Sequence, residues 1–419
     1  MFPPAFGPRM GYLCKYLKNN GWNPVVMTEY IDEKMFSFLA KDVDVTYVRY
    51  YYKKGFSGKI EWGWTFFRDM LFGYKDKRMY MEALKISEKY ACSPEEHTGQ
   101  FKCKAFDLVL CSTYRTFPMW AAWHFAKRMR LSLVVDLRDI IEQYTGNEFI
   151  THNLPKFLGL DKLIASVFRK RSLATRNKIL KEAAAVTTIS PWHVSILKQY
   201  NANTQLIYNG YDPKIFYPEK IKADKFFITY TGRLLSTAMR NPDLLFQAVR
   251  RLVEEGIISL DTFRIRWFTD NVSKKNITEA AGKYNGISEY MDYFGYVPAS
   301  KIPKVLNESS IQLLLTNKAD ANGPKGVMTT KFFESLAVGK PILCVRGDEG
   351  CLEEVINRTR SGLSAHNADE VYDFIKEHYM HWKENTSYTC NSDKEEIKKF
   401  SRETQALQFI HLFEEIAAH

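Results

Sequence analysis

The chain has 419 residues, 45% of them hydrophobic, seven cysteines and a net charge of +11. That length exceeds what one hydrophobic core ordinarily serves, so two domains of roughly 200 residues each are expected. No apolar run reaches the ~18–20 residues that span a bilayer, the opening MFPPAFGPRM lacks the apolar stretch of a signal peptide, and the scattered, odd-numbered cysteines argue for reduced thiols in the cytoplasm rather than a disulfide or zinc scaffold.

Short apolar runs alternate with amphipathic segments from end to end, which is the pattern of parallel sheets with helical crossovers, so the fold class is α/β. In chain order the first half offers strands at 24–28, 45–50, 106–112, 131–137, 184–189 and 205–208, with helices between them. Rings and lysines crowd together after the second strand: Tyr50, Tyr51, Tyr52, Lys53, Lys54, Phe56, Trp62, Trp64, Phe66, Phe67 and Phe72. Such a mixture suits either a lipid headgroup layer or an ordinary core. Further on, Lys156, Lys162, Arg169, Lys170, Arg171, Arg176, Lys178, Lys181 and Lys198 face only Asp161 and Glu182 between residues 151 and 200. A face of that kind can meet an anionic membrane surface, a phosphorylated substrate or nucleic acid, or simply be solvated. The aromatics upstream favour the membrane surface, and no helix-turn-helix, zinc-finger or RNA-binding signature supports nucleic acid. A turn-rich stretch at 209–218, NGYDPKIFYP, joins the halves. Beyond it, strands are expected at 226–231, 263–268, 290–294, 311–315, 341–345 and 362–365. The domains are then 1–217 and 218–392, with a last helix within 393–419 packing back across them.

The segment 326–343, GVMTTKFFESLAVGKPIL, carries the most chemistry. Thr329 and Thr330 stand where a helix would begin and can cap it, while Gly339 and Pro341 stop it after about two turns. Its N-terminus offers N–H donors and partial positive charge to a phosphate, Lys331 adds a full charge, and Glu334 lies one turn further in, where a carboxylate can accept two ribose hydroxyls. After strand 226–231 come Gly232, Arg233 and Arg240, a glycine turn with two guanidinium forks suited to a diphosphate.

This order, with Asn209-Gly210-Tyr211-Asp212 and Phe216 before it and TTKFFESLAVGKPIL after it, resembles the retaining glycosyltransferases of family 4. PPAFGPRMGYLCKYLKNNGWNPVVMT near the start, VVDLRD at 134–139, VTTISPWHVSILKQY at 186–200 and FGYVP at 294–298 extend the resemblance over nearly the whole chain. It implies the GT-B fold, two doubly wound Rossmann-like domains facing across a cleft. It also implies transfer from a nucleotide-sugar donor to a glycan or lipid-linked acceptor, in surface polysaccharide synthesis at the cytoplasmic membrane face. No cofactor and no metal are expected. Carried over by position, Glu334 would hold the ribose. Arg233 and Arg240 would neutralise the diphosphate, with Gly232, Lys331, Thr329 and Thr330 beside them. Gly7 and Arg9 would form the loop beneath the donor phosphates. Asp136, Arg138 and Asp139 would face the acceptor or the transferring sugar, with Asp139 a candidate catalytic residue.

Two departures stand out. The family's other motif glutamate, eight residues before Glu334, falls at Gly326. That leaves room for an inactive or reaction-switched relative, an epimerase or a phosphorylase, as the alternative reading. The chain also begins inside the first loop. The family's first strand is therefore expected to be absent and its neighbours' edges unpaired, either because the natural start lies upstream or because this is a truncated copy with reduced stability.

Overall fold

The computed structural model describes residues 1–3, 7–30, 43–90, 93–94, 101–102, 106–114, 116–144, 160–234, 236–237, 239–316, 326–346, 350–385 and 390–418. The chain divides into two units, Met1–Tyr208 with Glu403–His419, and Asn209–Arg402.

The first unit runs α1 (Pro8–Asn19), β1 (Val25–Glu29), β2 (Asp44–Val48), α2 (Gly55–Phe72), α3 (Tyr74–Glu88), β3 (Ser93–Pro94), β4 (Phe101–Lys102), β5 (Leu108–Thr113), α4 (Met119–Met129), β6 (Ser132–Leu137), α5 (Leu160–Glu182), β7 (Ala185–Thr188), α6 (Pro191–Leu197) and β8 (Thr204–Leu206). β5 to β8 form a parallel sheet in sequence order, and β1 and β2 are a separate parallel pair. β5, β6 and β7 are buried along almost their whole length. This is why they read as continuous apolar runs rather than as alternation.

The first two residues stand between β1 and β5. The Met1 amine donates to Val25 O at 2.7 Å and Met1 O accepts from Met27 N, while Phe2 N donates to Leu110 O at 2.7 Å and Phe2 O accepts from Ser112 N. Phe2 is buried with its ring 5.5 Å from that of Phe125. The expectation of unpaired edges is therefore corrected at this level, where Met1 pairs with β1 and Phe2 with β5. A cavity of about 180 Å³ adjoins them, lined by Val25, Val26, Leu108 and Leu110.

The second unit runs β9 (Phe226–Thr231), α7 (Asp243–Glu254), β10 (Phe263–Phe268), α8 (Asn271–Ala281), β11 (Met291–Tyr293), α9 (Ile302–Asn307), β12 (Ile311–Leu315), α10 (Thr330–Val338), β13 (Ile342–Val345), α11 (Cys351–Thr359), β14 (Gly362–Ala365), α12 (Ala368–Asn385) and α13 (Lys394–Lys398). Its six strands are all parallel, in the spatial order β11-β10-β9-β12-β13-β14. By order of appearance that is 3-2-1-4-5-6, so the winding reverses between β9 and β12, and the crevice beyond their carboxyl ends is where such sheets take ligands. The core is aromatic: Phe226, Phe246, Phe263, Trp267 and Tyr379 are fully buried. α7 explains its own docking, since Leu245, Phe246, Ala248, Val249 and Leu252 recur at helical spacing and are buried together. Arg266 is tolerated inside β10 because its guanidinium donates to Thr229 Oγ1 and Val305 O and pairs with Glu308.

α14 (Arg402–Ala417) closes the chain. Apart from Arg402 it groups with the first unit, where Phe413 meets Trp22 at 5.6 Å and Gln405 Nε2 donates to Tyr208 O. Every strand expected from the sequence is present, with ends displaced by at most two residues. Two features differ. The small antiparallel pair β3–β4 was not anticipated. The last helix is broken into α13 and α14, because residues 400–402 pair with Tyr211 instead: Tyr211 N donates to Phe400 O, and Arg402 N to Tyr211 O.

Candidate functional site

The site assembles at the β9/β12 switch point of the second unit. β9 delivers Thr231 and Gly232 to its carboxyl end, and Gly232 has a φ of 112° that side-chain-bearing residues rarely adopt. A Cβ there would stand 1.3 Å from Lys331 Nζ, so the missing side chain makes room for the ammonium. Lys331 comes from the first turn of α10 and is also 6.0 Å from the Tyr230 ring centre. Arg240 reaches the same place: its Nη1 donates to Tyr230 Oη at 3.4 Å and to Arg233 O. Tyr230 Oη in turn donates to Arg233 O at 2.8 Å.

The electrostatics record this crowding of cations. The Lys331 ammonium is pulled down from 10.5 to about 8, first by burial and then by Arg240, with Arg233 adding to it and Glu334 opposing it. Glu334 is pushed up from 4.5 to about 7 by burial, against the pull of Arg402 and Lys331. Neutral pH thus finds a carboxyl near its midpoint beside an ammonium with a weakened hold on its proton. Three basic groups gathered here, faced among the described residues by Asp270 and Glu334, can seat a polyanion. A cavity of about 60 Å³ lies there, lined by Thr231, Arg240, Gly326, Thr329, Lys331 and Ser335 among others. At ~30 Å³ per water, its share of the liquid, it holds about two waters.

α10 opens differently from the sequence expectation. Thr329 occupies the N-cap position with extended backbone, but its hydroxyl accepts no capping bond. The helix ends as read, at Gly339 in the left-handed conformation, and Asn209 Nδ2 holds the preceding loop through Met328 O at 3.2 Å. Arg233 is placed at the rim. Its side chain is 64% exposed, and its Nε donates to Tyr296 Oη at 2.6 Å and lies 3.2 Å from Asp270 Oδ2. Sequence reading missed Tyr230, Asp270 and Tyr296. All three lie at or just beyond the carboxyl ends of β9, β10 and β11, where the strand-end rule would have directed attention.

The first-unit candidates divide. Arg9 and Asp136 form a buried ion pair. Arg9 Nη2 meets Asp136 Oδ1 at 2.9 Å and Arg9 Nε meets Oδ2 at 3.1 Å, while Arg9 also donates to Ile207 O and Tyr208 O. Asp136 further accepts from Ser112 Oγ and Thr187 Oγ1, and both partners are buried. Burial alone would raise the Asp136 carboxyl; Arg9 and the two hydroxyls hold it below the usual range. Gly7 is the N-cap of α1 in extended conformation, with nothing within 4 Å of where a Cβ would stand, so space does not demand a glycine there. Asp139 Oδ1 accepts from Gln143 Nε2 at 3.1 Å, which braces the turn after β6. Arg138 is half-buried over the Tyr114 ring at 5.8 Å, and its Nε has no hydrogen-bond partner among the described residues.

No protein-family model matches the chain, and no curated protein matches it in sequence. Solved structures do. A glycosyltransferase from Rickettsia africae superposes with a TM-score of 0.60 at 14% identity, over 99% of this chain and 96% of its own. The chain has the GT-B fold. Sucrose-phosphate synthase from Thermosynechococcus elongatus gives a TM-score of 0.61 at 14% identity over 100% and 96% of the two chains. Anabaena HepE in complex with UDP gives 0.60 at 12% identity over 99% and 98%. At such identities the GT-B likeness concerns architecture, and the chemistry must be argued from the site.

Proposed function

We propose that the protein transfers a sugar from a nucleotide-sugar donor to a glycan or lipid-linked acceptor, with retention of configuration and without a metal, in surface polysaccharide synthesis. The observation that carries this reading is Lys331 seated against Gly232 at the switch point with Arg240 beside it, Arg233 at the rim and Glu334 one turn along the same helix. HepE, which was solved with UDP and with UDP-glucose, supports a nucleoside diphosphate as the anion.

Lys331 and Arg240 take the diphosphate, whose charge grows as the sugar leaves. A preorganised donor facing such developing charge is worth about 3–4 kcal/mol. Arg233 joins them by exchanging its exposed contact with Asp270, which costs little because surface ion pairs contribute about 0–1 kcal/mol. Glu334 accepts the ribose hydroxyls. Those hydrogen bonds favour its ionised form, so its carboxyl, at about 7 in the free protein, loses its proton as the nucleotide binds.

Gly326 favours a second reading, an inactive or reaction-switched relative. It lines the cavity at a φ of 64°, a conformation in which a glutamate would be strained. Incubation with nucleotide sugars and an acceptor separates the readings. Release of nucleoside diphosphate with a product of retained anomeric configuration supports transfer. An epimerised nucleotide sugar without release means an epimerase, and no consumption of any donor means an inactive relative.

A further inference from the structure

We propose that the outward face of α2 docks this protein onto an anionic lipid surface. α2 contains Phe56, Ile60, Trp62, Trp64, Phe66, Phe67, Met70, Leu71 and Phe72, yet Thr65 is its one buried residue. The rings divide between two faces. Trp62, Phe66 and Met70 line a cavity of about 950 Å³ together with Tyr51, Trp120 and Phe168. Phe56, Ile60, Trp64 and Phe67 point away, with exposures of 79%, 60%, 60% and 44%, while Leu71 lines the cavity. At 3.6 residues per turn these four positions fall within an arc of about 80°, so they form a single continuous stripe.

The stripe is exposed because the helix is held where it is, not because it is loose. Arg171 of α5 donates to Met70 O at 2.9 Å and to Leu71 O at 3.1 Å, which satisfies carbonyls of the last turn. Gly73 N donates to Asp69 O, and Lys75 N to Asp69 Oδ1 at 2.8 Å. At the other end Glu61 accepts from Tyr52 N and Lys53 N, which fixes the approach to the helix and turns its charge to local use. Trp64 and Phe67 stack at 5.8 Å on the outer face. α5, which Arg171 ties to α2, adds exposed Leu163 and Val167.

A contiguous apolar face on a soluble surface calls for a cover. Charge identifies the cover here. Lys53 and Lys54 precede the helix, Lys59 and Arg68 flank the stripe on its two sides, and Lys162 and Lys170 lie on α5, in a chain of net charge +11. Trp and Phe at headgroup depth with cations beside them describe an interfacial helix lying in the plane of the surface. No helix among the described residues is long and apolar enough to cross a membrane, and α2 itself contains Lys59, Glu61, Arg68 and Asp69. A surface of this kind would bring the enzyme to a lipid-borne acceptor. The proposal does not depend on the nucleotide reading, and a failure of either leaves the other standing.

The test is sedimentation of the full chain with vesicles of equimolar phosphatidylcholine and phosphatidylglycerol, alongside pure phosphatidylcholine vesicles. The wild type is expected to sediment with the anionic vesicles, to be released by salt, and to show a blue shift of tryptophan emission on binding. The triple variant Phe56→Ser, Trp64→Ser, Phe67→Ser replaces exposed side chains, so it should keep the wild-type unfolding midpoint and bind ~100-fold more weakly. Lys53→Glu with Lys54→Glu should weaken anionic-vesicle binding ~10-fold or more while leaving the unfolding midpoint unchanged. Wild type remaining in the supernatant, or equal binding by the triple variant, overturns the proposal. So does a wild-type dimer in analytical ultracentrifugation that the triple variant abolishes without any vesicle binding, since the stripe would then belong to a second copy.

Discussion

Gly232→Ala separates the site's geometry from its charge. The new Cβ would stand 1.3 Å from Lys331 Nζ, and the first atom in the way is the end of a flexible side chain, so the ammonium moves and the backbone need not. The residue also sits at a φ of 112°, and holding an alanine there costs about 1–3 kcal/mol of stability. The displaced ammonium costs binding instead. A hydrogen bond to a charged group is worth about 1.5–3 kcal/mol, which is roughly 10- to 150-fold in Kd. Lys331→Ala should lose the same amount directly. In the double variant there is no ammonium left to displace, so its nucleotide affinity should match that of Lys331→Ala within about 0.5 kcal/mol. Calorimetric titration of the wild type and the three variants with a nucleoside diphosphate measures this. Additive losses in the double variant would refute the idea that Gly232 acts by seating Lys331.

Other expectations follow from the same contacts. Glu334 has a folded-state pKa of about 7 against 4.5, so the native state binds more protons between those values, and its contribution is present below pH 4.5 and lost as pH rises through 7. Glu334→Gln should therefore flatten a decline of about 1–2 kcal/mol in unfolding free energy between pH 5 and 8, and should remove the proton release on nucleotide binding near pH 7, read by calorimetry in buffers of different ionisation enthalpy. Asp136→Asn should leave Arg9 as a buried cation without its counter-charge and cost about 3–5 kcal/mol in urea unfolding; lost turnover with unchanged stability would instead support Asp136 on the acceptor side. Phe2→Ala should cost about 3–5 kcal/mol, because the buried ring packs on Phe125 where Met1 and Phe2 join β1 to β5.

How far the chain could be read depended on the range of the signal. Parallel strands such as 226–231 and 263–268 announce themselves locally, as apolar runs bounded by turns, and they appear where they were read. The α10 segment was legible for the same reason: Gly339 ends its helix in the left-handed conformation, a property of that residue alone. What could not be read was pairing across the chain. Nothing near Arg9 marks Asp136, 127 positions away, as its partner, so Arg9 read as part of the loop beneath the donor phosphates and Asp136 as facing the acceptor or the transferring sugar. The break between α13 and α14 depends on Tyr211, and the helical pattern of 393–417 contains no trace of it. The stripe on α2 lay between these cases. Its rings were visible as composition, but whether they faced a core or the outside was decided by the Arg171 bonds that set the helix on the surface.

The most direct test of the central claim, a nucleoside diphosphate seat at the β9/β12 switch point, is a thermal-shift screen of the wild type and Arg240→Ala against UDP, GDP, ADP, CMP and their sugar conjugates. Ligand at 100 times its Kd adds about 2.7 kcal/mol to the stability of the form that binds it, enough to raise the unfolding midpoint by about 5 °C or more in a unit of this size. The account predicts that one nucleoside diphosphate and its sugar conjugate produce such a shift in the wild type, and that Arg240→Ala loses most of it. No shift with any nucleotide, or an equal shift in Arg240→Ala, would contradict it.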